Sequence, residues 1–201
     1  MKHSFVLAAA CALVLSACGG GKQQFPVHVT VAASTVAGDG LIYPGLVLTT
    51  NGQDLALAPP STPGAAVSGT FPNTLSYGDV YDITVKTQPA HQACSASAFT
   101  HDSAGRYASI DAVFTCAIQS HALTGTVTGL TATGLQLTNG STGGVIAVPA
   151  GATTFTMPEV NYGKTYGVTV LSQPTGQVCT VTNGVGQMGD ADVTNLKVTC
   201  Q

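Results

Sequence analysis

The chain has 201 residues, of which only 7% are charged, giving a net charge of −3, and it contains no tryptophan. So mild an acidic balance, without a cluster of Lys or Arg, excludes a surface built to follow a phosphate backbone, and no nucleic-acid partner is expected. Glu occurs once and Lys and Arg are few, while Gly, Thr and Val abound, so helix formers are scarce and strands are expected instead.

The first element is an export signal. Lys2 supplies a positive start and Phe5 to Leu15 form an apolar run. That run is shorter than the roughly 20 residues a transmembrane helix needs. Leu15-Ser16-Ala17-Cys18 then resembles the lipobox of bacterial lipoproteins. Cys11 lies inside the apolar run and would leave too short a signal. The resemblance implies removal of residues 1–17, acylation of Cys18, and a protein anchored to a membrane without spanning it. Gly19 stands where an aspartate would favour inner-membrane retention, which implies the outer membrane. Residues 18–26, opening Cys18-Gly19-Gly20-Gly21-Lys22, read as a lipidated flexible tether.

From residue 27 the pattern changes to strands. Val27, Val29 and Val31 alternate with His28 and Thr30, the period of a strand with one buried face. The stretch Val36 to Pro44 reads as an insertion whose Leu41, Ile42 and Tyr43 offer an apolar tip to a protein or glycan partner, or fold back over the sandwich edge. Ala58 to Gly64, rich in proline, reads as a stiff surface loop. Asn-Gly pairs at 51–52, 139–140 and 183–184 suit tight turns.

Tyr77 to Cys94 reads YGDVYDITVKTQPAHQAC and Tyr162 to Cys179 reads YGKTYGVTVLSQPTGQVC, the same skeleton 85 residues on. Gly45-Leu46-Val47-Leu48-Thr49 likewise matches Gly134-Leu135-Gln136-Leu137-Thr138, and both copies close on Thr-Cys, at 115–116 and 199–200. The expected organisation is two tandem β-sandwich units, 27–118 and 121–201, with a short joint. Within the skeleton, Tyr81, Ile83 and Val85 should face the core, as should Tyr166, Val168 and Val170. Tyr77 and Tyr162, repeated at matching positions, are also read as core rather than as sugar-stacking rings. Gln-Pro should end the strand.

Four cysteines remain beyond the signal and the anchor: Cys94, Cys116, Cys179 and Cys200. An even number in an exported chain reads as disulfides, and four cysteines allow three pairings. The duplication favours Cys94–Cys116 and Cys179–Cys200, which close loops of nearly equal length. These motifs together resemble the tandem immunoglobulin-like or prealbumin-like β-sandwich repeats of bacterial surface proteins and lipoproteins. That resemblance implies adhesion, spacing or assembly and brings no shared catalytic residues.

No catalytic constellation stands out. His101-Asp102-Ser103 with Arg106 contains the residue types of a hydrolase triad, but a triad is assembled from distant segments and no G-x-S-x-G is present. His91 added to His101 fits no metal-ligand spacing, and Asp190 with Asp192 lacks the further oxygens calcium takes. Neither enzyme activity, metal nor cofactor is expected. The expected role is a lipid-anchored envelope protein for surface interaction or spacing. The alternatives are a periplasm-facing accessory subunit or inhibitor, and a small-ligand binder using the loops around His91 and His101.

Overall fold

A computed structural model describes residues 22–140 and 143–201 of the chain. The expected signal, Cys18 and the start of the tether lie outside the described residues, whereas the end of the expected tether belongs to the fold, since Gln24–Phe25 pairs with Leu75–Ser76 and Phe25 is buried. Every helix or strand among those described is a β-strand, as the shortage of helix formers predicts.

Two hydrophobic cores form, one from Phe25 to Cys116 and one from Leu123 to Cys200. Around the first, one sheet runs in the order Val67–Thr70, Val27–Val31, Ile110–Ile118, Gln92–Ala98. The second sheet of that half has the order Gln53–Leu57, Leu46–Thr50, Thr84–Thr87. Around the second core, one sheet runs Thr154–Asn161, Ser120–Thr128, Val193–Cys200, Cys179–Thr182. Its companion runs Val145–Ala147, Gln136–Asn139, Thr165–Ser172, Val185–Gln187. In both halves the first long strand pairs parallel with the last, whereas the other pairings are antiparallel. Both sheets of each half send apolar side chains into one core, the arrangement of a β-sandwich.

The alternation seen in the sequence sets these faces. Val27, Val29 and Val31 are fully buried. On the outer face of the same strand, His28 Nδ1 lies 2.8 Å from Thr70 Oγ1, and Thr30 Oγ1 2.8 Å from Ser68 Oγ. Tyr81 and Ile83 are buried while Asp82, Thr84 and Lys86 are exposed. That segment is broken at Ile83 into Val80–Asp82, which pairs with His101–Ser103, and Thr84–Thr87, which pairs with Leu46–Thr50. Its counterpart, Thr165–Ser172, is continuous.

The Asn-Gly pairs part company. Asn51 and Gly52, at φ 45° and 74°, make the expected tight hairpin turn. Asn139 is instead the buried last residue of its strand, and its Oδ1 accepts the Gly167 N–H at 2.7 Å. At the third pair only Asn183 takes a positive φ, 59°.

Cys94 stands directly opposite Cys116, and Cys179 opposite Cys200, on neighbouring strands. Each pair is a disulfide with Cα atoms 4.0 Å apart. The closed loops, 22 and 21 residues, correspond to about 3 kcal/mol each in the chain-entropy account. For halves of this size that is a large share of the total stability.

Candidate functional site at the joint and the upstream pole

The repeated skeleton contains two glutamines, and both act through their side-chain amides. Gln88 accepts the Cys94 N–H at 2.7 Å and donates to the Cys94 carbonyl at 3.0 Å. Gln173 makes the same two bonds to Cys179, at 2.7 and 3.0 Å. The proline after each glutamine ends the strand, and the glutamine then supplies the backbone partners the ladder no longer provides. The second glutamine braces the loop after the first strand. Gln92, fully buried, accepts the N–H groups of Ile42 and Tyr43 at 2.9 and 3.0 Å and donates to the carbonyls of Gly38 and Gly40. Gln177 accepts from Thr131 and Ala132 and donates to Gly129.

This bracing decides where the apolar insertion goes. Leu41 is fully buried rather than exposed at a tip. Tyr43 is turned toward the second half of the chain, where it packs edge-on against His91 and Tyr162, with centroids 4.9 and 6.0 Å away. The predicted partner loop of Leu41, Ile42 and Tyr43 therefore folds back, because four hydrogen bonds to one buried amide hold its backbone down.

At the joint itself, Gln119 donates its N–H to the His91 carbonyl at 2.9 Å and accepts the Tyr162 N–H at 2.8 Å. The His91 and Tyr162 rings stack, 3.7 Å between centroids and 6° between planes. His91 Nδ1 also lies 2.7 Å from Asp190 Oδ1. Asp192 accepts the Ala122 N–H at 2.9 Å and sits 3.7 Å from His121 Nδ1. Asp190 thus bonds across the joint, and Asp192 holds the start of the second half's first strand. A cleft of about 240 Å³ opens beside the stack, lined by Gly38, Ile42, Tyr43, Ile118, Tyr162 and Lys164.

The opposite, upstream pole of the first half carries the corresponding tyrosine in a different state. The Tyr77 N–H donates to the Gln23 carbonyl at 3.0 Å, as the Tyr162 N–H does to Gln119. The Tyr77 side chain, however, is 67% exposed, so it is not core. Its ring lies over Gly105, 2.4 Å from where a Cβ would stand, which makes glycine necessary there. Tyr107, also exposed, meets Phe99 edge-on at 6.3 Å. Phe99 is 61% exposed and held at φ 54°, a left-handed conformation uncommon for a bulky residue. An open groove of about 390 Å³ runs between them, lined by Tyr81, Phe99, Tyr107, Ile110, Asp111 and Val113.

The hydrolase-like residues do not assemble. His101 and Asp102 sit side by side on one short strand, and Asp102 faces Arg106 at 3.2 Å while accepting the Ser103 N–H at 2.8 Å. The Ser103 N–H and then Arg106 hold the Asp102 carboxyl below its usual range. Burial pushes the Tyr81 phenol up. Among the described residues no three His, Cys, Asp or Glu side chains converge to hold a metal. His91 belongs to the joint and His101 to the pairing with Asp82, so the two do not form a ligand pair.

Sequence reasoning gave Gln88 and Gln173 only the end of a strand and passed over Gln92 and Gln177, although their identical spacing in both copies was the available signal. It also passed over Phe99 and Tyr107, for which the sequence carries no repeat or motif. No family model and no curated protein matches the chain.

Proposed function

We propose that this chain is a non-enzymatic, lipid-anchored envelope protein in which two β-sandwich modules form a spacer that holds its downstream module away from the membrane. The observation that carries this reading is the joint. Both backbone groups of Gln119 are bonded, one to each half, and the His91–Tyr162 stack closes over them. A linker tied at both ends transmits orientation, whereas a free linker would let the halves tumble. The strand order supports the prealbumin-like form of the sandwich over the immunoglobulin constant type. In the first half Val27–Val31 lies between Val67–Thr70 and Ile110–Ile118, and in the second Ser120–Thr128 lies between Thr154–Asn161 and Val193–Cys200, so the first long strand pairs with the last in each. The constant type instead places the first strand beside the second.

Anchoring at Cys18 rests on the lipobox-like Leu15-Ser16-Ala17-Cys18. Protease treatment of cells carrying an epitope-tagged protein tests both the anchor and the direction. Digestion on intact cells is the outcome expected for an outward-facing spacer. Protection until lysis would overturn the surface role and favour the periplasm-facing accessory subunit. Release of the protein from membranes is expected on Cys18→Ala, and retention after that change would overturn the anchor.

A further inference from the structure

The exposed aromatic surface at the upstream pole is used by neither core nor joint. Tyr77, Val80, Phe99 and Tyr107 are all more than half exposed. They lie on adjoining segments. Tyr77 covers Gly105, two residues before Tyr107; Tyr107 touches Phe99; Val80 pairs with Ser103 on the strand leading into the same loop. The Gly78 N–H bonds the Ala104 carbonyl and the Ile110 N–H the Pro26 carbonyl, which fixes the loop at the end where the chain enters the first module. Tyrosines and a phenylalanine left more than half exposed, the latter in a left-handed conformation, return little folding energy through burial, so they point to a surface covered in use.

The length of chain preceding this pole decides what can cover it. Gln23, whose carbonyl holds the Tyr77 N–H, stands five residues after Cys18, a span of at most about 17 Å. A protein module of the size of either half cannot stand in that gap, because a strand of 9 residues such as Ile110–Ile118 alone measures roughly 30 Å. A bilayer surface can. Tyrosine rings suit the headgroup layer, with an apolar body and a polar tip. The charges around the patch name the kind of bilayer: Asp79, Asp82, Asp102 and Asp111 outnumber Lys22 and Arg106, so an anionic surface would repel it.

We propose that Tyr77, Val80, Phe99 and Tyr107 seat the first module on the headgroup layer of a zwitterionic membrane, beside the lipid on Cys18, so that the protein stands upright with its second module outermost. This inference rests on the lipid-anchor reading above.

The absence of native tryptophan allows a single-reporter test. The full-length lipidated protein, as Tyr107→Trp and separately as Phe99→Trp, is placed in phosphatidylcholine vesicles with brominated acyl chains. Val185→Trp, at a highly exposed position of the second module, is the distant control. Each patch reporter is expected to shift to shorter wavelength and lose at least about half its emission, while the control keeps a water-like spectrum. Vesicle flotation and the acylated mass of Cys18 are read on the same samples. Flotation with both patch reporters unquenched overturns the seat and leaves the anchor standing; a groove that takes a soluble ligand gives that result. Equal quenching of Val185→Trp overturns the upright orientation. An unacylated, non-floating protein overturns anchor and seat together.

Discussion

Tyr77 and Tyr162 occupy the same step of the same skeleton, with the same backbone bond to a glutamine carbonyl, yet their rings do opposite things. Tyr77 lies back on Gly105 of its own module. Gly189, which follows Met188 as Gly105 follows Ala104, has nothing within 4 Å of its would-be Cβ, because the Tyr162 ring has left it to stack on His91. The Gly78 and Gly163 N–H groups bond the Ala104 and Met188 carbonyls in the same way, so the turns correspond and only the ring's partner differs. One residue type at a sandwich pole can close over its own turn or reach across to a neighbour. The choice follows from what stands opposite rather than from the turn itself.

The largest effect that would break this comparison is loss of a disulfide. Cys94→Ala with Cys116→Ala should destabilise the first half by about 3 kcal/mol, and Cys179→Ala with Cys200→Ala the second by a similar amount. Denaturant unfolding followed with a probe in each half reads the two losses separately; equal loss in both halves from one pair would show that the halves unfold as one.

Next comes Gln92→Ala, which leaves two partly buried N–H groups without their acceptor and should cost about 2 kcal/mol. Gln177→Ala, at a more exposed site, should cost less. Equal costs in chemical denaturation would mean that burial of the amide is not what separates them. Smaller again is Tyr162→Ala, with an expected loss of about 1 kcal/mol from the stack and a broadened distribution of angles between the halves in small-angle scattering. Tyr77→Ala should leave that distribution unchanged.

The smallest effect is alkaline. Because burial raises the Tyr81 phenol above its ordinary value of 10.0, the folded state favours the neutral form. Its contribution is complete below that value and is lost as pH rises through the folded pKa. Thermal scans between pH 9 and 12, a range set by the ordinary tyrosine value, should fall less steeply for Tyr81→Phe than for the native chain.

What the sequence displayed was the part governed by alternation and duplication. Val27, Val29 and Val31 and the Tyr81–Ile83 face were legible because each depends on which side of a strand a residue points to, and the cysteine pairing because the duplication offers two loops of nearly equal length. The position of Leu41 was not, since an apolar loop looks the same whether it projects or folds in, and what decides is the Gln92 amide, which holds the neighbouring Ile42 from 50 residues away. Tyr77 was misplaced because it was read from repetition alone. Repetition showed that the position matters in both copies but not that the two neighbours differ. Phe99 and Tyr107 left no trace, because an exposed ring in a loop has no period.

The parallel pairing of first and last strands has a mechanical meaning. Pulling the chain at its two ends draws Val27–Val31 and Ile110–Ile118 in opposite directions along their shared ladder, and likewise Ser120–Thr128 against Val193–Cys200. Force then shears all the hydrogen bonds of that ladder together instead of opening them one at a time. With each last strand also bolted sideways by its disulfide, such a load would meet the ladder and the cross-link together.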